Sequence, residues 1–105
     1  MTKKGVIKTE IPGPKSKAIF DAEQQYIAPG TQTIAALSQL ALEKGDGCII
    51  QDVDGNRFID FFAGVAVSSL GYNHPAYVKA MQEQVAKIHV GSFATKVRAD
   101  RKSVV

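Results

Sequence analysis

The densest cluster of oxygen-bearing side chains in this 105-residue sequence is Asp52-Val53-Asp54-Gly55-Asn56. Acids at alternate positions followed by a glycine resemble a calcium loop. An EF-hand, however, needs glycine at its sixth position and glutamate at its twelfth. Counted from Asp52, those positions hold Arg57 and Ala63, so the calcium reading fails. Asp54-Gly55 is read instead as a hairpin signal, because a two-residue type I′ turn needs positive φ at both central positions. The two histidines, His74 and His89, have no second ligand at helical spacing, which argues against zinc. Ser68-Ser69 lacks the G-x-S-x-G frame that exposes a nucleophile. Gly64 to Gly71 lacks both G-x-G-x-x-G and a Walker lysine. Cys48 is the single cysteine, so no internal disulfide or cysteine cluster can form, and it reads as a half-buried strand residue. No catalytic constellation, metal site or cofactor-binding set can be assembled.

The elements around these residues can be read from pattern. Residues 1–14 read as a flexible arm ending in Pro12-Gly13-Pro14, which continues neither a helix nor a central strand. Ser16 offers an N-cap. Ile19, Phe20, Tyr26 and Ile27 recur at helical spacing with Asp21 and Glu23 near the start, which predicts a helix over 15–27 closed by Pro29-Gly30. Thr31 to Glu43 has helix-forming composition, yet it runs into the turn signal Gly45-Asp46-Gly47 and fits a strand equally well. Cys48 to Asp52 and Arg57 to Phe61 read as two antiparallel strands about Asp54-Gly55, the second with aromatics on both faces. Ala63 to Ser69 holds only small side chains, which let a backbone or a ligand approach closely. Asn73 as N-cap and Pro75 in the first turn introduce an amphipathic helix over 74–88, with Val78, Met81, Val85 and Ile88 on one face.

Composition narrows the classes of function. Apolar residues make up 45%, and four of the five phenylalanines fall between Phe58 and Phe93. The net charge of +3 comes from the ends. Lys3, Lys4, Lys8, Lys15 and Lys17 crowd the first seventeen residues, and Lys96, Arg98, Arg101 and Lys102 the last ten, whereas residues 18–95 carry four basic against eight acidic groups. A nucleic-acid face is built into a fold, with aromatics nearby for single strands, so basic tails on an acidic body argue against one. Lys3 and Lys4 are followed by no apolar segment, so no signal peptide is expected. No run of about 18 apolar residues is present to cross a membrane. A cytoplasmic protein is the expectation.

One ordered set of motifs remains. Asp52-x-Asp54-Gly55-Asn56-Arg57-Phe58-Ile59-Asp60-Phe61, then Gly64-Val65-Ala66-Val67, then Leu70-Gly71-Tyr72-Asn73-His74-Pro75, resembles the amino-terminal signature of class III aminotransferases. These are pyridoxal-phosphate (PLP) enzymes of fold type I, a group of 4-aminobutyrate, acetylornithine and other ω-amino-acid transaminases with some related racemases. The resemblance covers about residues 12–99, and Tyr72 departs from it where the family more often has histidine. It implies an α+β fragment, helix, three-stranded antiparallel meander and helix, of a parent α/β enzyme. Residues 15–99 would form part of the small domain and the lead-in to the large one. It also implies an amino-acid donor, a 2-oxo acid acceptor and a homodimer. The lysine that holds PLP, the aspartate on its pyridine nitrogen, the phosphate cup and the carboxylate-binding arginine lie downstream in the family. None of the ten lysines here stands in the matching context, so no PLP is expected to bind this chain alone. Val65 matches a position lining the substrate pocket, and Phe93 falls in a loop approaching it.

A fold-type-I enzyme needs roughly four hundred residues, well beyond one small domain. The tail Asp100-Arg101-Lys102-Ser103-Val104-Val105 has no counterpart in the resemblance and is expected to be non-native. It is encoded by GAT CGG AAG AGC GTC GTG if reading ran into a sequencing adapter. The isolated chain is expected to be inactive and poorly folded, with apolar faces uncovered. Two other classes compete with the enzyme: a small interaction module using the same hairpin and helix, and a basic-tailed nucleic-acid binder.

Overall fold

The computed structural model describes residues 4–27 and 33–89. The chain divides between His74 and Pro75 into two units. The first holds helices α1 (Pro14–Glu23) and α2 (Thr33–Ser38), strands β1 (Leu42–Asp46), β2 (Ile49–Asp52) and β3 (Arg57–Ile59), and a short helical turn, α3 (Ala63–Ala66). The second holds α4 (Pro75–Val85).

The three strands form the expected antiparallel meander in the order β1-β2-β3. Ile49 faces Asp46 on one side and Ile59 on the other, and Ile50 faces Gly45 and Phe58. Gly47 and Cys48 link β1 to β2. The segment before Gly45 divides its allegiance: Thr33–Ser38 is helical and Leu42–Asp46 is a strand. Its alanines and leucines support the helix, and the glycines that follow permit the turn. β3 stops at Ile59; of the aromatics read on its two faces Phe58 is half-buried, whereas Phe61 beyond the strand is 93% exposed.

The hairpin between β2 and β3 is where Asp54-Gly55 places it, with a different turn from the one expected. Only Gly55 has positive φ, at 83°. The Gly55 N–H donates to the Asp52 carbonyl at 3.1 Å, and the Asp52 N–H donates to the Asn56 carbonyl at 3.0 Å. That is a three-residue loop, a type I turn closed by a left-handed glycine, rather than a two-residue type I′ turn.

The loop's side chains organise the unit. Asp52 and Asn56 are fully buried. Asp52 Oδ1 accepts from the N–H groups of Asp54 (3.0 Å) and Asn56 (2.8 Å), while Oδ2 takes the Asn56 amide at 2.8 Å. Asn56 then reaches into the amino-terminal arm. Its Oδ1 accepts from Lys8 N (2.6 Å) and Thr9 N (3.0 Å), and its Nδ2 donates to Thr9 Oγ1 (2.8 Å). Val6 exchanges two backbone bonds with Arg57, at 2.9 and 2.7 Å. The arm that reads as flexible is therefore held at residues 6–9, because its exposed amides find acceptors nearly fifty residues away.

Helix α1 starts at Pro14, with Gly13 in the extended cap position and Pro14 in the first turn. Ser16 is not its cap: it is buried inside the helix. The cap comes from the hairpin. Asp54 accepts from Lys15 N (2.9 Å) and Ser16 N (2.8 Å), satisfying two orphan amides and setting a negative charge at the helix's positive end. Burial raises the Asp54 pKa, but the backbone donors of Ser16 and Lys15 outweigh it and hold the carboxyl below its ordinary value. Asp21 and Glu23, expected near the helix start, fall in the last half of the shorter helix, where Asp21 pairs with Lys17 at 3.1 Å. Pro29-Gly30 lies outside the described residues. α4 matches the expected helix, and a bond from Ile88 N to the Gln84 carbonyl (2.9 Å) extends it by a turn. Asn73 is not its cap, since φ is 57° where a cap residue is extended.

Candidate functional site

Asp60 follows β3 and is fixed by its own N–H, which donates to the Cys48 carbonyl at 2.8 Å. Its carboxylate folds the chain that comes next. Oδ1 accepts from Phe62 N (2.8 Å) and Ala63 N (2.9 Å), and Oδ2 accepts from Gly64 N (3.2 Å) and from the Tyr72 hydroxyl (2.5 Å). Around it Ala63, Gly64, Val65 and Ala66 all take positive φ, at 50°, 58°, 70° and 59°. The segment α3 is thus a left-handed turn, closed by bonds from Ala66 N to the Phe62 carbonyl and from Val67 N to the Ala63 carbonyl, both 2.9 Å.

Such a turn costs about 1–2 kcal/mol for each residue with a Cβ, and three of the four have one. A β-branched residue at positive φ is the severest case. Against this, three backbone N–H groups on one carboxylate contribute about 1–1.5 kcal/mol each at a partly exposed site. The two sums are of the same size, so the turn depends on Asp60. The close approach expected at the small residues is seen at Gly64, where a Cβ would lie 3.0 Å from Ser68 Oγ and 3.4 Å from the Tyr72 hydroxyl.

Burial raises the Asp60 pKa, but the Tyr72 hydroxyl and the three amides more than offset it, and the carboxyl sits below its ordinary value. Tyr72 moves the other way. Its hydrogen bond to Asp60, with burial and the carboxylate's charge, raises the phenol above its ordinary value despite an opposing contribution from Ser68.

The turn forms one side of an open hollow of about 400 Å³. Val65, Gly64 and Phe62 line it from the turn, Ile50 and Leu42 from the sheet, Ile34 and Leu40 from α2 and its exit, and Asp60 and Tyr72 from below. Val65 is 56% exposed there. Phe93, the other residue singled out, lies outside the described residues. Sequence reasoning places Asp60 and Tyr72 in the family motif without assigning either a part in the site. The signal for Asp60 was present, because an aspartate before a run of small residues is suited to accept local backbone N–H groups.

Residues 31–102, more than half of the chain, match the family described as aminotransferase class-III. The chain belongs to that family. It is 46% identical over 77 residues to an alanine/serine racemase of Pyrococcus horikoshii, covering 73% of this chain and 16% of the relative. It is 48% identical over 61 residues to acetylornithine aminotransferase 1 of Bradyrhizobium diazoefficiens, covering 58% of this chain and 15% of the relative. The fold is shared with a crystal structure of acetylornithine aminotransferase from Elizabethkingia anophelis, with a TM-score of 0.69 and 23% identity over 85% of this chain and 23% of that one. The meander and its helices thus share the fold of the matching part of that aminotransferase. This class III chain spans about a sixth of the length of the curated relatives it matches.

The family implies PLP, and the hollow can be tested against it. PLP needs an amine for its imine and a group of donors for its phosphate. No lysine or arginine is among the residues that line the hollow, and its one carboxylate is already engaged by four donors. These residues do not fit the cofactor, and no step of its chemistry is derived from them.

Proposed function

We propose that this chain supplies one wall of the substrate pocket in a larger PLP-dependent transaminase, which moves the amino group of an amino acid or ω-amino acid to a 2-oxo acid. The observation that carries the reading is the placement of Val65. It matches the pocket-lining position of the family, and it projects from a strained turn at the rim of an apolar hollow. Strain held in place by its surroundings is a mark of functional positions. A wall of Val65, Ile34, Ile50 and Leu42 is suited to the aliphatic part of a substrate and contributes no acid or base. Val65 and Phe93 contact the substrate, and the groups that hold and activate PLP come from the remainder of the enzyme. A cytoplasmic homodimer belongs to the same reading. No helix of the described residues is long and apolar enough to cross a membrane.

The experiment is expression of the full-length gene that carries this sequence. The product should show the absorbance of bound PLP and transfer amino groups to a 2-oxo acid. Val65→Ala removes two methyl groups from the wall, at about 0.8 kcal/mol each, so kcat/KM for an aliphatic donor should fall about tenfold. A product without PLP absorbance or amino transfer overturns the enzyme. An unchanged kcat/KM in Val65→Ala overturns the wall.

A further inference from the structure

In the reading above Tyr72 is only a part of the lining, yet its surroundings make it a strut. Its backbone is bonded in both directions to Gly47, with Gly47 N to the Tyr72 carbonyl at 2.9 Å and Tyr72 N to the Gly47 carbonyl at 2.7 Å. That fixes one end to the link between β1 and β2. The side chain lies across Gly45 so closely that a Cβ there would come within 2.6 Å of the ring's Cγ. Only glycine leaves the ring its place. With backbone and ring both seated, the hydroxyl reaches Oδ2 of Asp60 at 2.5 Å. That same oxygen accepts the Gly64 N–H, immediately before Val65, through the longest of the three bonds that hold the turn (3.2 Å). The sheet is therefore tied to the left-handed turn through one phenol and one carboxylate.

We infer that Tyr72 is a positioning residue: through Asp60 its hydroxyl fixes the left-handed turn and so sets how far Val65 intrudes on the hollow, selecting the girth of the amine donor. The inference rests on the reading that the hollow takes the donor. Removal of the hydroxyl leaves Asp60 with its backbone donors alone. The turn then loses its side-chain tie to Tyr72 and keeps the backbone bond from Asp60 N to the Cys48 carbonyl, and Val65 gains room to move. The consequence is a change of preference among donors rather than a uniform loss of activity.

Tyr72→Phe in the full-length holoenzyme keeps the ring and removes the hydroxyl. The ratio of kcat/KM between a straight-chain and a branched donor should shift about tenfold toward the branched one, the effect of one hydrogen bond to a charged group. The change should fall mainly on KM and unequally across donors, since Tyr72 lines the hollow rather than supplying a reacting group. In a Val65→Ala background the same change should add little, because both act through one side chain. An equal loss for all donors, or additive effects of the two substitutions, overturns the inference. A crystal structure of the Tyr72→Phe enzyme gives a readout without turnover: Val65 should leave its position, and an unmoved turn refutes the strut. If the full-length protein transfers no amine, the proposed function falls while this comparison still decides what Tyr72 holds. Should Tyr72→Phe fail to fold, Asp60→Asn weakens the same tie while keeping an acceptor. It should shift the donor ratio in the same direction, and an unchanged ratio overturns the inference.

Discussion

Asn56→Ala tests whether the arm is held by one buried side chain. The Asn56 side chain makes four hydrogen bonds from a fully buried position. Truncation leaves the N–H groups of Lys8 and Thr9 and one oxygen of Asp52 without their partner. The Thr9 hydroxyl can rotate to water at little cost. With three groups stranded at about 1 kcal/mol net each, the local loss comes to about 3 kcal/mol. Amide hydrogen exchange reads this directly. In the full-length protein the Lys8 and Thr9 amides should exchange about a hundredfold faster, since about 1.4 kcal/mol is a factor of ten. The amides of β2 should change far less, because their ladder to β1 does not pass through Asn56. Thr9→Ala is the control. It removes the bond from Asn56 Nδ2 and an exposed one to the Glu10 carbonyl that water can replace, and should cost about a third as much. The reasoning is refuted if Lys8 and Thr9 exchange at their original rates in Asn56→Ala, or if β2 loses protection equally.

The other predictions concern charge and surface. Asp60 has a depressed pKa in the folded state, so its contribution is present above the ordinary value of 3.8 and lost as pH falls through the lower folded value. Denaturation of the full-length protein followed below pH 4 should therefore show a shallower pH dependence in Asp60→Asn, and an identical slope would exclude this linkage. The isolated 105-residue chain should melt without a cooperative transition and bind a hydrophobic dye, because its large apolar side chains are mostly exposed. A soluble monomer with a sharp thermal transition would count against that.

What the sequence made legible was what depends on neighbours in the chain. Gly55 announces a hairpin whatever the rest of the protein does, and the spacing of Val78, Met81 and Val85 announces α4. The type of turn was not legible, because it is decided by bonds from Asp52 to Gly55 and Asn56 that a dipeptide preference does not contain. The cap of α1 was assigned to Ser16, a suitable residue nearby. The acceptor that caps it is Asp54, 38 residues beyond Ser16, and no local rule reaches so far. The left-handed turn was concealed for another reason. Ala63, Val65 and Ala66 have no propensity for positive φ, and only the carboxylate of Asp60 makes the conformation affordable. Val65 could be singled out only through resemblance, since one of two valines among small residues carries no signal of its own.

The distribution of buried groups shows what kind of structure the first unit is. Among the described residues Ile49 is the one buried large apolar side chain, whereas Ser16, Asp52 and Asn56 are buried more completely. A self-sufficient domain has the opposite order, because apolar burial supplies the driving force and polar groups are mostly outside. Here the polar network fixes register. Asp52 and Asn56 tie the arm to the hairpin, Asp54 ties α1 to it, and Asp60 with Tyr72 ties the turn to the sheet. Each bond contributes little net free energy, since water would serve the same groups in the unfolded chain. A buried hydrogen-bonded network of this kind specifies one arrangement more than it stabilises it. The missing driving force must then come from covering Leu37, Phe61, Val67 and Leu70, all more than 60% exposed. Under the proposed reading that cover is the rest of the transaminase. On that reading the unit is a frame whose geometry is set by its own carboxylates and whose stability is lent by the enzyme around it, which allows a strained turn to persist at the edge of the proposed pocket.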